Sequence, residues 1–152
     1  NLGNHDVLAF LPNGRLIAAF GGYGESSGQL IGPTGIAVAL DGTVYVADAD
    51  RQQVLAFSPT GRPLRAWGSW GSQPGQFDGL SAVAVGPQGT VYVADTLNNR
   101  VEAYTSDGTL VGVAITPDPV ALGDAGEGQV TVTDGLTGAS ATVSLTAATA
   151  GS

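Results

Sequence analysis

A unit of 47 residues runs twice through this chain without a gap and begins a third time, and no other feature limits its possible folds as strongly. Val7-Leu8-Ala9-Phe10 returns as Val54-Leu55-Ala56-Phe57 and, more loosely, as Val101-Glu102-Ala103-Tyr104. Gly42-Thr43-Val44-Tyr45-Val46-Ala47-Asp48 returns as Gly89-Thr90-Val91-Tyr92-Val93-Ala94-Asp95. Gly14, Gly61 and Gly108 mark one turn three times, and Gly21, Gly24, Gly28 and Gln29 recur at Gly68, Gly71, Gly75 and Gln76. About 22 of the 47 positions match between residues 7–53 and 54–100. A period of this length belongs to stacked supersecondary units, in which each repeat buries its apolar face against the next.

Within one repeat the apolar residues fall into four short runs. These are Ile36-Ala37-Val38, Val44-Tyr45-Val46-Ala47, Val54-Leu55-Ala56-Phe57 and Leu64-Arg65-Ala66-Trp67. Asp41-Gly42, the polar Asp50-Arg51-Gln52-Gln53 and Thr60-Gly61 separate them as turns, and a glycine-rich connection leads to the next unit. No stretch keeps apolar residues at helical spacing, so almost no helix is expected. With 24 glycines and 8 prolines in 152 residues, the class is all-β. Four antiparallel strands in about 45 residues make one β-propeller blade.

The residues resemble the NHL-repeat family of β-propellers. Pro33-Thr34-Gly35-Ile36-Ala37-Val38, Asp41-Gly42 and Tyr45-Val46-Ala47-Asp48 carry the resemblance, joined by Asn98-Asn99-Arg100-Val101 and by Phe20-Gly21 and Trp67-Gly68. It covers residues 1–113 and implies blades set in a ring, commonly of six. The middle copy departs from the family signature, reading Arg51-Gln52-Gln53-Val54, and the first copy, Asn4-His5-Asp6-Val7, lacks the arginine.

The phase of the repeat sets the strand inventory. Asn1 aligns with Asp48 and Asp95, so residues 4–20 supply only a third and a fourth strand, and two complete four-stranded blades follow. Two and a half blades are too few for a closed ring. Residues 114–152 lose the repeat but keep β alternation, in Gln129-Val130-Thr131-Val132-Thr133 and Ala141-Thr142-Val143-Ser144-Leu145-Thr146, with Asp134-Gly135 and Gly138 as turn residues. A β-hairpin standing alone is marginal in water and exposes two edges. The expectation is therefore that this hairpin donates strands to the half-blade of a neighbouring subunit, with Val7, Ala9, Val130, Val132, Val143 and Leu145 at the interface. Such head-to-tail exchange gives either a closed ring or an open filament. Ile115-Thr116-Pro117-Asp118-Pro119-Val120 also looks like the start of a bacterial immunoglobulin-like module; on that alternative the chain is a piece of a longer surface protein.

Composition trims the list of functions. Five basic residues stand against 13 acidic ones, a net charge of −8. All five bases are arginines lying within residues 1–100, so no basic patch for nucleic acid or an anionic membrane is expected. No apolar run is long enough to span a bilayer. Without cysteine, disulfides, thiol catalysis and cysteine-bound metals are excluded. The absence of methionine suggests that an upstream segment was removed, by processing of a secreted precursor or by excision of a fragment.

Candidate chemistry is thin. Gly24-Glu25-Ser26-Ser27-Gly28 matches a nucleophile elbow, but its repeat equivalent Gly71-Ser72-Gln73-Pro74-Gly75 lacks the central serine and no helix follows, so an inter-blade loop is expected. His5 is the single histidine, whereas zinc sites without cysteine usually need two or three, so no metal or cofactor is expected. Asp48 and Asp95 read as caps for the following turn, with calcium at Asp41, Asp48 or Asp50 as the alternative. Phe20 and Trp67 share a repeat position and should pack between blades, while Tyr23 and Trp70 border the glycine-rich loops. The sequence thus predicts a non-enzymatic extracellular or cell-surface protein whose blades assemble with copies of themselves. The alternative is a propeller module that binds another surface protein or a glycan.

Overall fold

The computed structural model describes residues 3–115 and two later strands, 127–134 and 140–146. Among these residues every regular element is a strand. Strands β1 (Asp6–Phe10) and β2 (Leu16–Gly21) pair antiparallel as a two-stranded sheet. Strands β3 (Pro33–Val38), β4 (Val44–Asp48), β5 (Gln53–Phe57) and β6 (Pro63–Trp67) follow as a four-stranded meander. One repeat later come β7 (Leu80–Val85), β8 (Val91–Asp95), β9 (Arg100–Tyr104) and β10 (Leu110–Ile115). Among the described residues the first two strands pair alone and two four-stranded antiparallel meanders follow, in the strand order expected from the repeat.

The turns follow from their residues. Gly14, Gly61 and Gly108 take φ of +83°, +84° and +86° in the hairpins that join each third strand to its fourth, a region closed to most side chains. His5, Gln52 and Asn99 occupy a single repeat slot, and all three are left-handed, at φ +55°, +50° and +52°. The repeat copies backbone geometry there even though the residue type changes.

The blades stack face to face. Each blade has an upstream face, toward the preceding repeat, and a downstream face, toward the next one. Val7 from the half-blade meets Leu30, Val44, Val46, Leu55 and Phe57 on the upstream face of the first full blade, with the Phe20 and Phe57 rings 5.0 Å apart. On its downstream face Tyr45, Ala47, Val54 and Ala56 meet Phe77, Leu80, Val83, Val91, Val93 and Tyr104 of the second blade. Inner strands β3 and β7 approach so closely that a Cβ on Gly35 would lie 3.0 Å from the Ala82 backbone.

The tail departs from expectation. Strands β11 (Glu127–Asp134) and β12 (Ser140–Thr146) form the predicted hairpin, with Val130 opposite Val143. That hairpin pairs with its own chain: Gly112 lies opposite Asp134 and Val113 opposite Thr133, which extends the second blade to the order β12-β11-β10-β9-β8-β7. Within the single chain the hairpin thus lies along β10. The reason is simple: β10 is the outermost strand of a blade and offers an unpaired edge a short way back along the chain. The side chains of Val130, Val132, Val143 and Leu145 lie outside the described residues.

Candidate functional site, the unfinished half-blade

The polar residues of the repeat hold the strand ends to the loops. Asp48 is fully buried; its Oδ2 accepts the Ile31 N–H at 2.8 Å, and its Oδ1 accepts the N–H of Gly32 at 2.8 Å and of Arg51 at 3.3 Å. It caps the following turn as expected, and it also secures the glycine-rich loop that enters its blade. Asp95 repeats the arrangement, accepting from Asp78 N–H at 2.7 Å, Asn98 Nδ2 at 2.8 Å and Arg100 Nε at 2.8 Å. Arg100 then donates to the carbonyls of Ser72, Gln73 and Gln76 at 2.6, 2.9 and 2.7 Å. In the middle copy, where the arginine signature is missing, Arg51 Nη1 donates to the Gln29 carbonyl at 2.9 Å. Gln29 is the repeat equivalent of Gln76, so an arginine two slots earlier clamps the same loop.

Glu102 and Tyr104 replace the apolar pair Leu55 and Phe57. Both are buried, with Glu102 held by Arg100 Nη2 at 2.9 Å, by the Gly75 N–H at 3.0 Å and by the Tyr104 hydroxyl. Burial pushes the Glu102 carboxyl above its ordinary range, opposed by the Tyr104 and Gly75 hydrogen bonds and by the Arg100 charge. Burial also pushes the Tyr104 phenol up. An acid beside a phenol suits proton transfer in an open cleft, but this pair is sealed between two blades and serves as packing with satisfied hydrogen bonds.

Other candidates resolve individually. The elbow-like segment is a loop in which Ser26 accepts the Gln29 N–H at 3.0 Å and Gln29 Oε1 accepts the Ser26 N–H at 3.1 Å, far from any strand-to-helix turn. His5 stacks edge-on against Tyr23 with ring centroids 5.0 Å apart. Trp67 packs against Tyr45 and Tyr104 at 6.0 and 5.5 Å, as its repeat slot suggested. Tyr23 and Trp70, which also share a slot, project into solvent at 69% and 73% exposure. Among the described residues no group of three His, Asp or Glu side chains is placed to hold a metal ion. No helix among them is long and apolar enough to cross a membrane.

What remains is the space beside β1. In a full blade the third strand has two strands inside it; β1 is a third strand with β2 on one side and, among the described residues, no further strand of its sheet on the other. Beside β1 lies a groove of about 490 Å3, walled by Asp6, Val7, Leu8 and Phe10 on β1, by Pro33 to Ile36 on β3, and by Val46. Leu8, Phe10 and Ile36 are 38%, 55% and 54% exposed around it. Their apolar surface and the open strand edge together offer a partner both area and hydrogen bonds. Of the interface residues named from sequence, Val7 lines the groove but is buried in the inter-blade core, and Ala9 is half-buried. The outward apolar pair on β1 is Leu8 and Phe10.

No protein-family model and no curated protein matches the chain. Solved structures do match. A streptogramin B lyase is similar at 15% identity with a TM-score of 0.60, over 93% of this chain and 48% of its own. Hydrazine synthase of Kuenenia stuttgartiensis is similar at 16% identity and a TM-score of 0.59, over 94% and 44%. A virginiamycin B lyase from Staphylococcus aureus is similar at 12% identity and a TM-score of 0.59, over 93% and 49%. The chain thus spans about half the length of the structures it matches. At these identities the likeness shows the fold alone, and that fold is the bladed architecture of a β-propeller.

Proposed function

We propose that this chain is an extracellular, non-enzymatic scaffold of NHL-type blades that assembles with copies of itself, each copy completing the half-blade of another. The observation that supports this reading is the groove beside β1, where an apolar wall lies next to a strand edge that carries no further strand among the described residues. The β11–β12 hairpin is a two-stranded unit of the kind the half-blade lacks. Exchanging the β10 edge for the β1 edge of a neighbour keeps backbone pairing and adds burial of Leu8, Phe10 and Ile36.

A lock tests this directly. Val113 and Thr133 are directly opposed on β10 and β11, so cysteines at both positions in this cysteine-free chain can tie the hairpin to its own body. The oxidised V113C/T133C chain should stay monomeric in sedimentation, and reduction should restore assembly. Equal assembly in both states, or a wild-type chain that is monomeric at micromolar concentration, defeats the proposal.

A second reading rests on Tyr23 and Trp70, equivalent aromatic residues exposed on successive repeats. Flat exposed rings suit the apolar face of a sugar, which makes a glycan the alternative partner. Quenching of Trp70 fluorescence by an oligosaccharide panel, lost in Trp70→Ala, would support it.

A further inference from the structure

The two full blades share a backbone site that only one of them fills with a carboxylate. In the second blade the Glu102 carboxylate lies between the Arg100 guanidinium, with Nη2 at 2.9 Å, and the Gly75 N–H at 3.0 Å. One repeat earlier Leu55 stands for Glu102, Gly28 for Gly75 and Gln53 for Arg100, and the displaced Arg51 clamps the loop instead. The acceptor has gone, but the donors have stayed. Gly28 keeps the backbone of Gly75, at φ +80° against +84°, so its N–H takes the direction that brings that of Gly75 onto Glu102. Among the described residues the Gly28 N–H has no hydrogen-bond acceptor.

The two arginines differ in the same way. Arg100 is ion-paired with both Asp95 and Glu102. Arg51 is half-buried, donates through Nη1 to the Gln29 carbonyl and, among the described residues, has no carboxylate partner. A guanidinium drawn out of water without a counter-charge is a standing demand for one. Gly28 and Arg51 line a single pocket of about 120 Å3, whose apolar walls include Leu55 and Phe57 on β5 and Pro63 and Leu64 on β6. A Cβ on Gly28 would lie 3.1 Å from Pro63 Cγ, so the loop sits tightly on β6 and fixes the rim. Every wall comes from residues 27–66. The pocket is built by the first full blade and the loop that enters it, and owes nothing to either end of the chain.

We propose that this pocket binds the carboxylate of a small organic acid, which takes the place that the Glu102 side chain holds one repeat later. The Gly28 N–H and the Arg51 guanidinium hold the carboxylate oxygens through charge-assisted hydrogen bonds, to which the planar fork of an arginine is well matched. Leu55, Pro63 and Leu64 receive a short apolar tail. The net charge of −8 repels anions at long range, so a singly charged acid with an apolar tail is preferred over a multiply charged phosphate. The second blade has no such site, because Glu102 already fills it. This proposal goes beyond the scaffold reading and is independent of it: binding neither requires nor prevents assembly.

Butyrate titrated into the isotope-labelled full-length chain tests this by NMR, with sodium chloride as the control at matched ionic strength. The Gly28 amide signal should move saturably at millimolar butyrate. The Gly75 amide, whose acceptor is Glu102, should stay still and serves as the internal reference. Arg51→Gln should weaken binding about tenfold or more, as loss of a charge-assisted hydrogen bond implies. Leu55→Glu combined with Phe57→Tyr copies the second repeat and should abolish binding by filling the pocket from within. Should that double variant fail to fold, Arg51→Gln, at a half-buried position, keeps the test decisive. A Gly28 signal that does not saturate, that moves equally with chloride, or that moves together with Gly75 overturns the proposal, as does unchanged affinity in Arg51→Gln. Saturable binding by a monomeric wild type leaves the site standing while the self-assembly reading falls.

Discussion

Val54-Leu55-Ala56-Phe57 in the first full blade and Val7-Leu8-Ala9-Phe10 in the half-blade are the same four residues in the same strand position, yet they live in different environments. Leu55 and Phe57 are 3% and 1% exposed, whereas Leu8 and Phe10 are 38% and 55% exposed. Tyr45 and Tyr92 repeat the contrast at the other end of the stack, at 1% against 38%. Local sequence makes the strand and gives it an apolar face. Burial comes from the neighbour, and only the blade with a neighbour on both sides closes both faces. The stability of a stacked array is a sum over such interfaces, and its end units are the weak ones.

The contrast can be broken most decisively with two alanine substitutions. Phe57→Ala should cost about 3–5 kcal/mol, as expected of a fully buried ring, whereas Phe10→Ala in dilute, monomeric protein should cost under about 1 kcal/mol, as at exposed positions. Urea titration of both variants measures the difference, and equal losses would mean that Phe10 is covered within the monomer. Next in size come the arginines. Arg100→Ala strands two buried carboxylates, Asp95 and Glu102, and should cost about 3 kcal/mol or more. Arg51→Ala gives up a carbonyl hydrogen bond and should cost roughly 1 kcal/mol.

Two smaller effects sharpen the picture. Gly14→Ala and Gly61→Ala share a left-handed φ, so each should lose roughly 1 kcal/mol to backbone strain. Gly61→Ala must also move the Phe20 ring and should be clearly the worse of the two; matching denaturation midpoints would contradict the stacking of Phe20 on that turn. The smallest effect concerns pH. Burial holds the folded Glu102 carboxyl above its ordinary 4.5, so the unfolded chain ionises first as pH rises. Stability is then fullest below 4.5 and declines as pH climbs through the raised folded value, beyond which it levels. Leu55, in the same slot one repeat earlier, has no such dependence, and Glu102→Gln should remove it, as read from urea midpoints across that range.

Much of this architecture was legible before any coordinates. The offsets that join Gly14 to Gly61 and Gly108, and Tyr45 to Tyr92, gave strand order, turn positions and blade phase, because a repeat imposes the same local geometry wherever it recurs. The capping role of Asp48 could be read too, since a carboxylate at a strand end has backbone N–H groups within reach, whereas Asp95 meets its following turn through the Asn98 side-chain amide. The arginine clamp was only half legible. Its motif is broken at Arg51, and pattern matching follows slots, whereas a long flexible guanidinium can reach Gln29 from a neighbouring one. The candidate site was mostly illegible. Strand alternation separates Val7 and Ala9 from Leu8 and Phe10 but does not say which pair faces the adjoining blade.

By itself, then, the sequence determined the unit: four strands, their turns and an apolar face on either side. Tertiary structure decided which copy of each residue is covered, where a displaced arginine reaches, and that the last hairpin rests on β10 of its own chain. Period and turn chemistry act over a few residues and are written in order along the backbone. Burial and edge pairing depend on which surface happens to be adjacent in space, and an unpaired strand edge accepts a hairpin by hydrogen bonds that carry no residue code.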